Sequence, residues 1–412
     1  MIYQAPSGAR DLLPLDVARK RWIEQRLQQV FHGWGYHRMI TPTLEHMKTL
    51  TAGGAVQPET VIQVWDADEG LLGLRPELTA SIARAAVTRL AAGVMPQRLY
   101  YNANVFRRQT SVVGSSQHEF FQAGVELLGG EGLRADAEVL LLLADCLTAV
   151  GLPHWHLVLG EAGLTRSLLS FFPADLRQSL RQAIAQMDWL AVAQLPLEPG
   201  LRERALSFFD LRGTPAMVLQ QVSDWGLDPA QQDALHNLKS LVELLEAHPS
   251  ITLDLSLLQT FDYYTGIVFE VVSAPDGGQR VLGQGGRYDQ LLSLYHPQGE
   301  ALPGIGFSLN IEDLQQVLLP LGKLPQQTAQ SEWLVAAVAD PTETDAAIAA
   351  AFHHAQILRA ATPGAQRVEV ELCQRSPADT RRYAQERRIH NIAWVHADGS
   401  VQTEGVTSAA TC

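Results

Sequence analysis

Cysteine is nearly absent: Cys146, Cys373 and Cys412 are the only three in 412 residues, and they lie far apart. That excludes a disulfide framework and any paired CxxC zinc motif. Positive charge is also scarce, with 31 Lys and Arg against 44 Asp and Glu and a formal net charge of −13. General phosphate-backbone binding needs clustered cations and is excluded as a class, although a local basic groove is not. No uncharged run reaches the ~18 residues that a membrane span needs. The start, MIYQAPSGARDLLP, lacks an apolar signal core. These absences describe a soluble, cytoplasmic protein.

What is present is ample core material, with 46% apolar and 18% charged residues. The length suggests two or three domains. Apolar residues recur at helical spacing from Val17 to His32, and Tyr36 to Pro42 reads as a strand. Val61 to Leu74 reads as a hairpin with a polar DADEG tip, and Leu74 to Ala92 as a helix with Glu77 and Thr79 near its beginning. Arg98–Phe106 and Glu119–Leu128 are strand candidates joined by a polar loop, and Arg134–Val150 is helical. From about 161 to 250 the pattern is of short amphipathic helices broken by Pro173, Pro196, Pro199 and Pro215, a helical insertion. Strand signals return at FDYYTGIVFEVVSA (Phe261–Ala274), at RVLGQGGRYDQLL, and at GIGFSLNIEDL (Gly304–Leu314). Residues 319–328 read as a linker. From 330 to 405 strand and helix alternate as in a small α/β domain, and the last residues, SVQTEGVTSAATC, read as a fraying end.

Four segments place charged or phenolic groups inside buried-looking runs: LRPELT, FRRQ followed by EFFQAGVE, FDYYTGIVFE, and GQGGRYD. Such groups must be paired or line a cavity. One such segment alone is best read as a structural salt bridge, Arg107 with Glu119 for example. Four on one antiparallel sheet point to a polar pocket. His154-Trp155-His156 and His353-His354 lack a Cys or carboxylate set at ligand spacing, so no metal or other cofactor is assigned.

The series GARDLLP, GYHRMITPTLE, LRPELT, FRRQ…FFQAGVE, FDYYTGIVFE, GQGGRYD and GIGFSLNIEDL resembles the motif order of histidyl-tRNA synthetases. The resemblance implies an α+β fold: a class II aminoacyl-tRNA synthetase-like antiparallel sheet flanked by helices over residues 1–320, carrying the helical insertion. A small C-terminal α/β domain resembling the anticodon-binding domain would follow over 330–405. It implies a dimer that the GYHRMITP segment helps to form. It also implies a histidine pocket in which Glu77, Thr79 and Gln122 receive the α-amino group and Glu126 and Tyr264 hold the imidazole. Tyr263 and Tyr288 would be pocket walls, and Arg107 stands at the position of the motif 2 arginine. The chemistry agrees, since carboxylates accept from an ammonium and a carboxylate with a phenol satisfies both ring nitrogens.

The adenylation machinery departs from that pattern. Gln109 stands where an acidic residue is expected, Gln259 where histidyl enzymes carry an arginine, and Asp313 where the final motif carries another. Adenylate formation needs cations around a triphosphate, and each charge contact is worth ~4 kcal/mol at ~4 Å and an effective dielectric of ~20. With two cations lost and an anion gained, no catalytic residue is assigned. A retained amino-acid pocket without an ATP site resembles the regulatory-subunit family of ATP phosphoribosyltransferase, a synthetase paralogue serving the first step of histidine biosynthesis. That family implies a short-form catalytic subunit as partner, a hetero-octamer, and feedback control with L-histidine as effector. The tail from Ser331 carries seven Arg and no Lys against ten Asp and Glu, 7 − 10 = −3, which argues against tRNA binding. The alternative is an active histidyl-tRNA synthetase, and a third reading is a stand-alone amino-acid-binding scaffold.

Overall fold

The structure is a computed structural model describing residues 5–54, 56–108, 117–245, 250–257, 263–274, 278–338, 344–361 and 366–406. Gln109 and Gln259 lie outside these. Contacts divide the chain into two compact units, Met1–Gln326 and Gln327–Cys412.

The first unit opens with α1 (Pro14–Gly33), β1 (His37–Arg38), β2 (Leu44–His46), the short α2 (Met47–Leu50) and the hairpin β3 (Ile62–Asp66) and β4 (Gly70–Leu74). Next come α3 (Thr79–Arg89), the long strands β5 (Gln97–Phe106) and β6 (Glu119–Leu128), α4 (Gly132–Ala149) and β7 (His156–Glu161). The insertion holds α5 (Ala162–Leu169), α6 (Arg177–Ala185), α7 (Trp189–Gln194), α8 (Pro199–Ser207), β8 (Arg212–Gly213), α9 (Pro215–Ser223) and α10 (Pro229–Leu244). The chain then returns through β9 (Ile251–Asp254), β10 (Ile267–Ser273), β11 (Arg280–Arg287), β12 (Gly304–Asn310) and α11 (Ile311–Leu318).

Nine strands form one sheet in the order β1-β5-β6-β12-β11-β10-β7-β9-β8. The stretch from β5 to β7 is antiparallel throughout, as the class II pattern requires. Parallel pairs join β1 to β5 and β7 to β9, so the whole sheet is mixed. Strand alternation sorts the residues. Ala123, Val125 and Leu127 of β6 and Phe307 and Leu309 of β12 face one core with α1, α4, α11 and the insertion. Leu99, Tyr101 and Val105 of β5 face a second core with α3, which leaves Gln122 and Glu126 on that second face.

Some local expectations shift. Pro199 and Pro215 occupy the first turns of α8 and α9, where a missing N–H costs nothing, and so start helices rather than break them. Of Tyr36–Pro42 only His37–Arg38 pairs as a strand. The GIGFSLNIEDL run divides at Asn310, after which Ile311, Leu314, Val317 and Leu318 bury one face of an amphipathic helix.

The second unit comprises β13 (Trp333–Val338), α12 (Thr344–Ala361), β14 (Val368–Val370), α13 (Pro377–Glu386), β15 (Asn391–His396) and β16 (Val401–Gly405) in a sheet ordered β14-β13-β15-β16. The expected fraying of the end is corrected over residues 401–405. Val401 to Gly405 pair antiparallel with β15 after a tight turn at Asp398-Gly399, and residues 407–412 lie outside the described set.

Candidate functional site

The polar residues of the four segments converge. Glu77, Thr79, Arg107, Gln122, Glu126, Tyr263, Tyr264 and Tyr288 all line one cavity, together with Tyr101, Gln284, Ser308 and the backbone of Gly285, Gly306 and Phe307. Glu77 stands just before α3, and its carboxylate accepts from Thr79 N at 2.5 Å and Ala80 N at 3.0 Å, which fixes the helix start. Thr79 then directs its Oγ1 at Glu126 Oε1, 2.7 Å away on β6. The other oxygen of Glu126 accepts from the Tyr288 hydroxyl. Gln122, one strand pitch along, donates to Asn310 Oδ1 at 3.0 Å. The Tyr263 ring lies 4.7 Å from that of Tyr264 and edge-on to that of Tyr288 at 5.9 Å.

Glycines make this density possible. A Cβ at Gly306 would fall 2.1 Å from Glu126 Oε2, and one at Gly286 would fall 2.7 Å from the Tyr264 ring. The glycine-rich GQGGRYD and GIGF segments are therefore the floor on which the carboxylate and phenols lie.

Burial dominates the electrostatics. It pushes Glu126 up to about 8, against the lowering effect of its bonds to Tyr288 and Thr79, and it raises Glu77 as well. The phenols of Tyr101, Tyr263 and Tyr288 are driven far above their ordinary value by the same burial, with the carboxylates adding to it. All stay protonated donors at neutral pH. Arg107 donates Nε to Pro76 O at 2.8 Å, and burial lowers its pKa while Glu77 opposes. Its expected alternative partner is engaged elsewhere: the Glu119 carboxylate accepts from Asn104 at 2.7 Å. Asp313 is ion-paired with Arg280 at 2.8 Å, so that position is locally neutralised rather than left as a bare anion.

The free space inside the site is about 20 Å³, room for one water and too little for an amino acid. The arrangement is therefore tightly filled, with both oxygens of Glu126 satisfied internally. Tyr101, Gln284 and Ser308 are lining residues that motif reading missed, and Tyr101 is the one with a phenol. Its signal was a phenol on the pocket face of a two-sided strand.

The fold and the sequence agree on ancestry. The Histidyl-tRNA synthetase family model matches residues 8–314. An ATP phosphoribosyltransferase regulatory subunit from Cyanothece sp. is 62% identical, covering 98% of this chain and 100% of its own. The chain belongs to the ATP phosphoribosyltransferase regulatory subunit family. Among solved structures, a Bacillus halodurans protein described as an ATP phosphoribosyltransferase regulatory subunit/histidyl-tRNA synthetase superposes with TM-score 0.79 at 26% identity, covering 96% of this chain and 99% of its own. A histidyl-tRNA synthetase from Nostoc sp. gives TM-score 0.75 at 18% identity over 98% of this chain and 97% of its own, a likeness of fold alone. The family thus keeps a synthetase scaffold.

Proposed function

We propose that this chain is a non-catalytic subunit that assembles with a separate short-form ATP phosphoribosyltransferase for the first step of histidine biosynthesis, and that L-histidine is its effector. Self-association as a dimer within a hetero-octamer is part of the same reading. The observation that carries it is the donor and acceptor set of the tightly filled site. Glu77, Thr79 and Gln122 would receive the ammonium and Glu126 and Tyr264 would satisfy two ring nitrogens, and all five line one cavity. Arg107, whose Nε donates to Pro76 O, would be the cation for the ligand's own carboxylate.

Tight filling matters to regulation. A site too small for its ligand in one arrangement must widen in another, and a ligand that binds only the wider one shifts the population between them. That is the least an effector site must do.

Histidine-dependent ATP–pyrophosphate exchange by the purified chain should stay at background, while phosphoribosyl transfer by the reconstituted complex should be inhibited by histidine. Glu126→Ala should remove the inhibition and leave assembly intact; inhibition unchanged in that variant would overturn the pocket assignment. The second reading, an active histidyl-tRNA synthetase, draws support from Arg280, a cation beside Asp313 where the motif lost one. Exchange well above background would establish it.

A further inference from the structure

Tyr101 lies on β5 with Leu99 and Ala103 on either side of it on the same strand face. It is 2% exposed, and its hydroxyl lies over Gly124, where a Cβ would come within 2.5 Å of Oη. Gly124 is the residue of β6 midway between Gln122 and Glu126. The hydroxyl thus sits over the strand between the two polar side chains that β6 gives to the site.

Its neighbours Glu126, Glu77, Tyr264 and Arg107 act on it through space, and among the described residues none forms a hydrogen bond with it. The contrast with the rest of the cavity is sharp. Thr79 and Tyr288 bond Glu126, Gln122 bonds Asn310, Glu77 bonds the start of α3, and Arg107 bonds Pro76 O. A hydroxyl that bonds no protein group adds little to the fold, and a phenyl ring would fill the same space. The hydroxyl borders the small free volume of the site, and a hydroxyl rotates to donate or accept as a ligand requires.

We infer that Tyr101 is a direct hydrogen-bonding contact for the free amino acid bound in this cavity, a specificity-determining residue completed by the ligand rather than by the protein. The inference rests on the histidine-site reading above. A group whose partner arrives with the ligand adds little to the fold and contributes affinity in the occupied form.

Tyr101→Phe separates the two. L-histidine binding to the full-length chain, followed by titration calorimetry, should weaken about tenfold, the factor of one lost hydrogen bond. The thermal midpoint of the variant without histidine should equal or exceed that of the wild type. Wild-type affinity in the variant overturns the assignment. A lowered midpoint also overturns it, because the hydroxyl would then be serving the fold. Absence of histidine binding by the wild-type chain is a different failure, that of the histidine-site reading itself.

Discussion

At the scale of single residues, the proton on Glu126 decides most. Its pKa of about 8 in the fold lies above the ordinary carboxylate value, because burial penalises the charged form more than Tyr288 and Thr79 stabilise it. The unfolded chain ionises near pH 4.5, whereas the folded chain retains the proton up to about 8. This contribution to stability is therefore fully present below pH ~4.5 and is lost as pH rises to ~8, with a slope of up to ~1.4 kcal/mol per pH unit. Glu126→Gln is neutral at every pH. Urea denaturation at intervals from pH 5 to 9 should show a falling stability component in the wild type that is missing from the variant, and identical profiles would reject the proton assignment. The place of Glu126 in the cavity was legible in the sequence because a carboxylate inside the apolar run FFQAGVELL demands a reason. Tyr101 was not legible, because a tyrosine in a strand satisfies the apolar pattern. Only the position of its hydroxyl over Gly124 sets it apart.

At the scale of elements, the turn leaving β11 ties the site to the rest of the first unit. Arg287 gives Nε and Nη2 to Asp136 Oδ1 at 2.8 and 2.6 Å and reaches the carbonyls of Gly130 and Gly132 before and at the start of α4. Tyr288 enters the site. Asp289 accepts from Thr265 Oγ1 at 2.9 Å, and Thr265 N donates to Arg287 O at 2.8 Å, so the segments bearing Tyr264 and Tyr288 are joined. Arg166 of α5 holds Tyr264 O at 2.9 Å. Arg287 and Asp289 also line a second cavity of about 440 Å³, together with Leu238 and Leu241 of α10. Arg287→Met leaves Asp136 buried and unpaired, and should cost about 3–5 kcal/mol in urea unfolding while weakening histidine binding through the loosened Tyr288. Asp136→Asn in the same chain should restore part of the stability; additive losses would show that the pair is not the anchor. Motif reading found Tyr288 but not Arg287, since "GRYD" gives no sign of which residue turns inward. Element ends were harder still. Whether Asn310 closes a strand or Pro215 opens a helix depends on what packs against them, and the edge strand Val401–Gly405 depends on β15 lying alongside.

At the scale of the whole molecule, charge offers a test between a regulator and a tRNA-binding enzyme. The synthetase fold extends over both units, so fold alone does not decide between them. In the second unit four of the seven arginines are ion-paired internally: Arg375 with Glu371 at 2.6 Å, Arg381 with Glu404 at 2.7 Å, Arg382 with Asp379 at 2.7 Å and Arg387 with Glu369 at 3.7 Å. Arg381, Arg382 and Arg387 of α13 and the turn after it are thus each matched by an acid of the same unit, while Arg388 donates to Gln327 Oε1. Nucleic-acid affinity comes largely from cations that release counterions from phosphates, and a cation already paired must first give up its carboxylate. Fluorescence anisotropy with a histidine-accepting tRNA should accordingly detect no binding at ~0.15 M salt, where the screening length is ~8 Å. Lowering the salt should add little, because the net charge of −13 repels the same phosphates that a patch would attract. Tight binding with a steep salt dependence would mean that the ion pairs open on contact, and the second unit would then have kept the work of its ancestor.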